Sequence, residues 1–244
     1  MLKAITFDLW NTLFQNKSYS RIRKGLIKKF LAKNGLKISN TKLHKVYNNN
    51  FNFLSPTLKN EQFKHIYTQA RLNHMFEELR FEVDPETINE IKDEFEILML
   101  NSPPILRKGI IYTLTNLSSD YRIGMISNTG ITPGKIIREV LKEYNILNFF
   151  EVTVFSDETG FYKPHPIAFK TALSQLDCSP RDAMHVGDLL ETDIRGAINY
   201  EMQAVWIRAP QTYNPSEIVP DYEISELPEI LEIVKKLKIK GSNL

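Results

Sequence analysis

Short apolar runs alternate with helix-like segments over most of this chain. The first run begins at Ala4 and ends on Asp8, and the later ones cover Tyr121–Ser127, Val152–Ser156, Ala183–Val186 and Ala204–Arg208. Apolar residues between the later runs recur at helical spacing, with helices expected over 106–117, from 132 onward, over 166–176 and over 194–200. Parallel strands need crossovers of this kind. The pattern therefore predicts an α/β fold, a doubly wound parallel sheet, with an edge strand at 221–225 and a closing helix at 227–237.

Residues 19–100 interrupt this alternation with a purely helical pattern. Four groups of apolar residues have helical spacing: Ile22, Leu26 and Phe30; Leu43, Val46, Tyr47 and Phe51; Phe63, Ile66, Tyr67 and Ala70; Ile88, Ile91, Phe95 and Leu98. Asn34-Gly35 is typical of a helix end, and Asp84-Pro85 of a helix start. We expect an inserted all-helical cap domain at 17–101, within a core formed by 1–16 and 102–244.

Composition favours an ordinary globular protein and disfavours several specialised classes. The chain has 244 residues and a formal charge of +2, which is too small to indicate nucleic acid as a partner. Its one cysteine, Cys178, cannot form an intramolecular disulfide, which is typical of a reducing compartment. No apolar run approaches the length of a membrane span, and the N-terminus lacks a secretory pattern. We therefore expect a cytoplasmic protein without a membrane partner.

Polar residues follow several of the predicted strands. Asp8 ends the first, Ser127-Asn128 ends the strand RIGMIS, and Asp188 follows the strand AMHV, with Asp193 five residues later. Lys163 lies in the loop GFYKPHP between the second and third of these positions. Ligands bind at the carboxyl ends of strands in open α/β sheets. Each residue could instead be an ordinary cap or solvated loop charge, but together they indicate one site at this edge.

These segments resemble the motifs of the haloacid dehalogenase superfamily of hydrolases. FDLWNTL is similar to its first motif, ISNTG to the second, the Lys of GFYKPHP to the third and GDLLETD to the fourth, in the same order and with an insertion where that family often carries a helical cap. The resemblance implies that Asp8 is a nucleophile that forms a covalent aspartyl intermediate. It implies that Ser127 holds the phosphate, and that Lys163 neutralises the nucleophile and the transferring group.

The resemblance also implies a magnesium site. Asp188 and Asp193 would be the acidic pair that seats Mg²⁺, together with Asp8 and the backbone carbonyl of Trp10. Carboxylates gathered at one place need a cation to offset their repulsion, and oxygen ligands suit Mg²⁺. Three further residues are expected to donate hydrogen bonds to the substrate anion: Thr12, Asn11 and Asn128.

Trp10 departs from the family pattern. Phosphatases of this family usually have there a second Asp, which acts as general acid and base, and an indole can do neither. The 2-haloacid dehalogenases have an aromatic residue at this position and expel halide, and a basic cap residue such as Arg21 or Arg23 would then bind the substrate carboxylate. Those enzymes work without metal, however, and carry a different fourth motif.

We therefore interpret the chain as a Mg²⁺-dependent phosphatase-like hydrolase of small phosphorylated compounds. A preference for good leaving groups, such as acyl or aryl phosphates, would be consistent with Trp10. Two alternatives stay open: a 2-haloacid dehalogenase-type hydrolase, and a catalytically weak protein that binds a phosphorylated ligand or a partner.

Overall fold

The computed structural model describes residues 1–51, 62–208 and 217–241. Its sheet has six parallel strands: β1 (Ala4–Phe7), β2 (Arg122–Ser127), β3 (Val152–Phe155), β4 (Ala183–Gly187), β5 (Gln203–Ile207) and β6 (Tyr222–Ile224). Their order across the sheet is β3-β2-β1-β4-β5-β6. Because the chain starts in the middle and winds outward in both directions, this is the predicted doubly wound sheet.

Eleven α-helices are found within the described residues. They are α1 (Ser20–Lys33), α2 (Asn40–Phe51), α3 (Thr68–Leu79), α4 (Pro85–Glu96), α5 (Leu98–Asn101), α6 (Ile110–Leu117), α7 (Gly134–Glu143), α8 (Ser156–Thr159), α9 (Pro166–Gln175), α10 (Arg195–Asn199) and α11 (Ile230–Gly241). A π-helical turn, Leu190–Ile194, leads into α10. None of these helices is long and apolar enough to cross a membrane.

The sheet is covered on both faces, which explains its nearly continuous apolar strands. Successive residues of a strand point to opposite faces. In β1, Ile5 and Phe7 belong to the core formed with α6, α7 and α11, whereas Ala4 belongs to the core formed with α9 and α10. In β5, Val205 and Trp206 divide between the two cores in the same way. This two-sided core fixes the sheet and the edge where its strands end.

The helices between β1 and α6 have a third core of their own. Residues of α1 to α4 pack together, with Ile27, Leu72 and Phe95 fully buried among them. The predicted helical insertion is therefore present, while the exact boundaries at 17 and 101 stay a prediction.

The third predicted helix begins later than expected, at Thr68 rather than near Phe63. Phe63 and Ile66 are not helical; the backbone here pairs with the core loop before Lys163, through an antiparallel bridge between Lys64 and Phe161. The prediction was wrong because a tertiary contact, rather than local spacing, decides this backbone.

The first core helix also starts later than predicted, at Ile110. Leu106 forms an antiparallel bridge with Phe14 instead. Gly109, with φ +81°, precedes the helix, and a Cβ atom there would lie 2.5 Å from Cγ of Pro228. Of the expected loop Ala209–Pro220, residues 209–216 lie outside the described residues.

Candidate active site

The polar residues singled out from the sequence lie at one edge of the sheet. Asp8 follows β1, Ser127 is the last residue of β2, and Asp188 follows β4. Lys163 comes from the loop before α9, and Asp193 from the turn that leads into α10. Because all these strands are parallel and adjacent, their carboxyl ends bring residues distant in sequence to one place.

Lys163 is at the centre of this cluster. Its Nζ lies 2.6 Å from Oδ1 of Asp8 and 2.6 Å from Oδ1 of Asp193, and it donates a hydrogen bond of 2.6 Å to the carbonyl of Ile126. The Lys163 side chain is 1% exposed, so these three oxygens replace its water shell. A buried ammonium is stable only with such partners. The position of the ammonium is therefore fixed by oxygens from three segments: the end of β1, strand β2 and the turn after β4.

Three carboxylates lie close together at this edge of the sheet. Asp8, Asp188 and Asp193 each offer an oxygen atom, and the three atoms lie within 4.8 Å of one another. Burial raises the pKa of Asp8 to about 7, and neighbouring Asp193 and Asp188 act in the same direction. Burial, with Asp193, likewise raises the pKa of Asp188 to about 6. One lysine does not fully offset three acids, of which Asp8 and Asp193 are buried and Asp188 is half-buried, and this donor set of close oxygens fits a divalent cation such as Mg²⁺.

Asp193 and Lys163 form an ionised pair. Burial would raise the pKa of Asp193, but Lys163 and His185 outweigh it and hold this pKa below its usual range. Burial opposes the charge of Lys163 too, yet Asp193 and Asp8 raise the pKa of the ammonium. The amide of Leu189 also donates to Oδ2 of Asp193, at 3.0 Å. The pair therefore keeps its charges at neutral pH.

Two hydroxyl groups of the site are buried without a partner. Oγ of Ser127 and Oγ1 of Thr12 make no hydrogen bond within the described residues, and both side chains are at most 1% exposed. Leaving such a group unsatisfied costs roughly 1 to 3 kcal/mol. An oxyanion bound at the strand ends would accept hydrogen bonds from both.

The side-chain amides of Asn11 and Asn128 have partners within the protein. Asn11 donates to Oδ2 of Asp188 at 3.0 Å, which orients that carboxylate. Asn128 accepts from the backbone N–H of Lys163 at 2.6 Å and donates to its carbonyl at 3.2 Å. Both asparagines therefore hold other site residues, and contacts of their backbone N–H groups with a substrate stay a prediction.

Sequence reasoning missed two residues that support the acids. His185 is fully buried in β4; its Nδ1 lies 2.8 Å from Oγ1 of Thr6, and its Nε2 lies 3.4 Å from Oδ1 of Asp193. Trp206 donates its indole N–H to the carbonyl of Asp188 at 2.9 Å. A histidine inside an apolar strand was the available signal, whereas nothing in the sequence around Trp206 indicates this contact.

Trp10 lies in the loop that leaves β1, two residues after Asp8. It is partly buried and packs against the core beneath the site. No carboxyl group stands at this position, so the side chain cannot transfer a proton to or from a leaving group.

Comparison with known proteins identifies the family. Residues 2–200 match haloacid dehalogenase-like hydrolases. The chain belongs to this family. It is 28% identical to a glyceraldehyde 3-phosphate phosphatase of Methanothermobacter thermautotrophicus, in a match that covers 95% of this chain and 100% of the relative. A family match over most of the chain makes this protein a hydrolase, as its motifs predicted.

Solved structures confirm the fold of a haloacid dehalogenase-like hydrolase. A haloacid dehalogenase family phosphatase from Thermococcus onnurineus matches with a TM-score of 0.64 and 24% identity, covering 96% of this chain and 98% of that one. A 2-haloacid dehalogenase from Pseudomonas syringae matches with a TM-score of 0.72 and 21% identity, covering 97% and 100%. Since phosphatases and dehalogenases share this fold, the fold does not distinguish the two reactions, and only the residues of the site can.

Proposed function

We propose that this chain is a Mg²⁺-dependent phosphatase that acts on small phosphorylated compounds through an aspartyl-phosphate intermediate on Asp8. The observation that carries the proposal is the cluster of three acids, Asp8, Asp188 and Asp193, whose oxygens lie within 4.8 Å of one another, with the buried Lys163 bonded to two of them. A metal-free hydrolase would have no need of this many carboxylates at one point. The phosphatase name of the Methanothermobacter relative supports the same substrate class.

Asp8, Asp188, Asp193 and the backbone carbonyl of Trp10 would hold the metal. Mg²⁺ in this position would supply positive charge to the carboxylates and to the phosphoryl group. Asn11 orients Asp188 for this role, and Lys163 with Leu189 orients Asp193.

Asp8 is placed to attack phosphorus. Lys163 holds its Oδ1, so Oδ2 is the oxygen that forms the new bond while the bond from phosphorus to the leaving oxygen breaks. The leaving group departs as an oxyanion and takes its proton from solvent. Water then attacks phosphorus, breaks the bond to Asp8 and releases inorganic phosphate. Ser127, Thr12 and Lys163 bind the phosphoryl oxygens, where charge neutralisation supplies most of the catalysis.

Trp10 restricts the substrates that this site turns over well. Without a proton donor beside Asp8, departure of the leaving group depends on its own stability as an anion. Loss of general acid and base assistance typically costs a factor of about 10² to 10⁴. Acyl and aryl phosphates are therefore the better substrates.

Two alternatives to the phosphatase remain open. Trp10 supports a 2-haloacid dehalogenase-type reaction, because halide needs no proton to leave. The same residue supports a catalytically weak member that binds a phosphorylated ligand or a partner. Retention of Asp8 with Lys163 and both further acids speaks against the second, since binding alone needs no nucleophile.

One set of assays separates these three functions. Purified protein is given para-nitrophenyl phosphate or 2-chloropropionate, each with Mg²⁺ or with EDTA. Phosphate release that EDTA abolishes supports the proposal. EDTA-resistant chloride release would show a dehalogenase instead. Release of neither product would indicate the catalytically weak binding protein. Asp8→Asn should abolish turnover, whereas Asp93→Asn, an exposed acid of α4, should keep it.

A further inference from the structure

A positively charged cavity lies between the helical cap and the loops that carry the proposed active site. Its volume is about 180 Å³. Lys17, Arg23 and Arg71 line it from the cap side, and Trp10 and Gly130 from the core side. Trp10 follows Asp8 by two residues, and Gly130 follows Ser127 by three, so the cavity adjoins the proposed phosphoryl site. Among the described residues, its lining includes no acidic side chain.

Arg23 is buried in this wall without an anionic partner. It is 7% exposed, and its hydrogen-bond partners are neutral: Nη2 donates to the carbonyl of Phe95 over a long 3.4 Å, and the guanidinium also donates to the hydroxyl of Tyr47. Its Nε has no acceptor within the described residues. The guanidinium lies 5.4 Å from the ring centroid of Tyr19 and 5.8 Å from that of Phe95. Aromatic faces attract a cation but leave its hydrogen-bond donors free.

Arg71 is the second buried guanidinium, at 3% exposure. Each of its three nitrogen atoms donates to a neutral oxygen at 3.1 Å. The acceptors are the carbonyls of Ile66 and Asn50 and the hydroxyl of Tyr162. Within the described residues, neither arginine has a carboxylate at salt-bridge distance. Lys17 likewise donates to neutral groups, Oγ of Ser102 and the carbonyl of Pro103.

Buried cations usually have counter-ions, because desolvation of an unpaired charge is costly. An arginine stays protonated in such a setting, so the cavity keeps its positive charge. Arg21 of the same helix is different, because it is exposed and water can solvate its charge. A ligand that brings negative charge into this cavity would supply the counter-ion that the protein does not.

We propose that Arg23 and Arg71, with Lys17, bind a second anionic group of the substrate, a carboxylate or a second phosphate carried by the leaving part of the molecule. This inference rests on the proposed phosphatase function, which it narrows to small phosphorylated compounds with two anionic ends. A cavity of this size admits such a group with few carbon atoms.

The test compares three phosphonates that cannot be hydrolysed: propylphosphonate, 3-phosphonopropionate and 1,3-propylenediphosphonate. Calorimetric titration with excess Mg²⁺ gives the Kd of each for the intact protein. At least one of the two doubly anionic compounds should bind tenfold or more tightly than propylphosphonate. A carboxylate site favours 3-phosphonopropionate, and a phosphate site favours the diphosphonate.

Variants assign the preference to the cavity. Arg23→Met and Arg71→Met should each reduce the preference for the doubly anionic compound about tenfold or more. Arg23→Lys should retain part of this preference, and Arg21→Met should keep it entirely. Equal binding of all three phosphonates by the unmodified protein would overturn the proposal, even if the methionine variants do not fold. An unchanged preference in folded Arg23→Met and Arg71→Met would overturn it as well.

The two proposals fail separately in these experiments. Hydrolysis of para-nitrophenyl phosphate with Mg²⁺ tests the phosphatase function and does not depend on a second anionic group. Phosphonate binding tests the cavity and does not depend on turnover.

Discussion

In the proposed phosphatase, Trp10 would decide how the leaving group can depart, because it lies two residues after the proposed nucleophile, Asp8, in the same loop. Asp8 and Lys163 would provide the nucleophile and its orientation, but neither would offer a proton to a leaving oxygen: Asp8 would be the attacking group, and Lys163 is held by two carboxylates and a carbonyl. If the proposal holds, the range of leaving groups therefore depends on one aromatic side chain.

Replacing Trp10 should change substrate selectivity. We expect Trp10→Asp to raise kcat for an alkyl phosphate, such as glycerol 3-phosphate, by about 10² relative to Trp10→Asn, because a carboxyl group can protonate the alkoxide and then activate water. Para-nitrophenyl phosphate should respond much less, since its leaving group needs no proton. Steady-state kinetics with both substrates provides the measurement. Equal alkyl phosphatase activity in the Asp and Asn variants would contradict the role assigned to this position.

Residues at strand ends were predictable, and those that come from packing were not. Asp8 and Asp188 could be placed together because each directly follows an apolar strand, and parallel strands end at one edge. Arg23 was named from the sequence only as one of two basic cap residues that would bind a carboxylate in a dehalogenase, and Arg71 was not named, because nothing in the sequence of either helix indicates that the two side chains share a cavity. His185 was missed for a related reason: its partners, Thr6 and Asp193, belong to other segments.

At the scale of elements, local periodicity predicted the helices better than their ends. Asp84-Pro85 starts α4 as expected, because the Asp84 side chain accepts from the N–H of Thr87. Residues 63–66 have helical spacing too, yet the N–H of Tyr162 donates to the carbonyl of Phe63 at 2.7 Å, and that of His65 to the carbonyl of Gly160 at 2.8 Å. Pairing with a loop about 100 residues away cannot be predicted from the spacing of apolar residues within a short segment.

Two glycines of the cap give opposite stability predictions. Gly25 lies exposed inside α1, and a Cβ atom added there would have no neighbour within 4 Å, so Gly25→Ala should raise the free energy of unfolding by about 0.5 to 1 kcal/mol. Gly35, with φ +76°, follows the end of the same helix, and Gly35→Ala should lower it. Urea denaturation measures both. The idea is wrong if the two variants shift the midpoint in the same direction.

On the scale of the whole molecule, the cap contacts the core beside Lys163. Phe63 and His65 pair with the loop at 160–162, and the Tyr162 hydroxyl accepts from the N–H of Ile66 and from Arg71. The next residue is Lys163. Since Arg71 also lines the charged cavity, one group of contacts joins the proposed anion site to the loop that carries the lysine. A ligand bound at Arg71 would therefore affect the packing of this loop through the Arg71–Tyr162 hydrogen bond.

His65 makes this junction sensitive to pH. Burial, with a contribution from the charge of Arg71, lowers the pKa of His65 to about 4. Its ring lies against Tyr162 and Tyr67, and Nδ1 is 3.1 Å from Oγ of Ser156. In the unfolded chain the pKa returns to about 6.5. Between these values the unfolded state binds a proton that the folded state does not, so the free energy of unfolding falls as pH falls below about 6.5.

His65→Gln should remove this part of the pH dependence. Between about pH 7 and about pH 4.5, the free energy of unfolding should fall by about 2 kcal/mol more in the unmodified protein than in the variant, because glutamine does not titrate in this range. Urea denaturation of both proteins at several pH values gives the difference. His44→Gln, at an exposed histidine of α2, should keep the slope of the unmodified protein. Parallel pH curves for the unmodified protein and His65→Gln would show that the junction carries no such proton linkage, whatever the behaviour of the remaining groups.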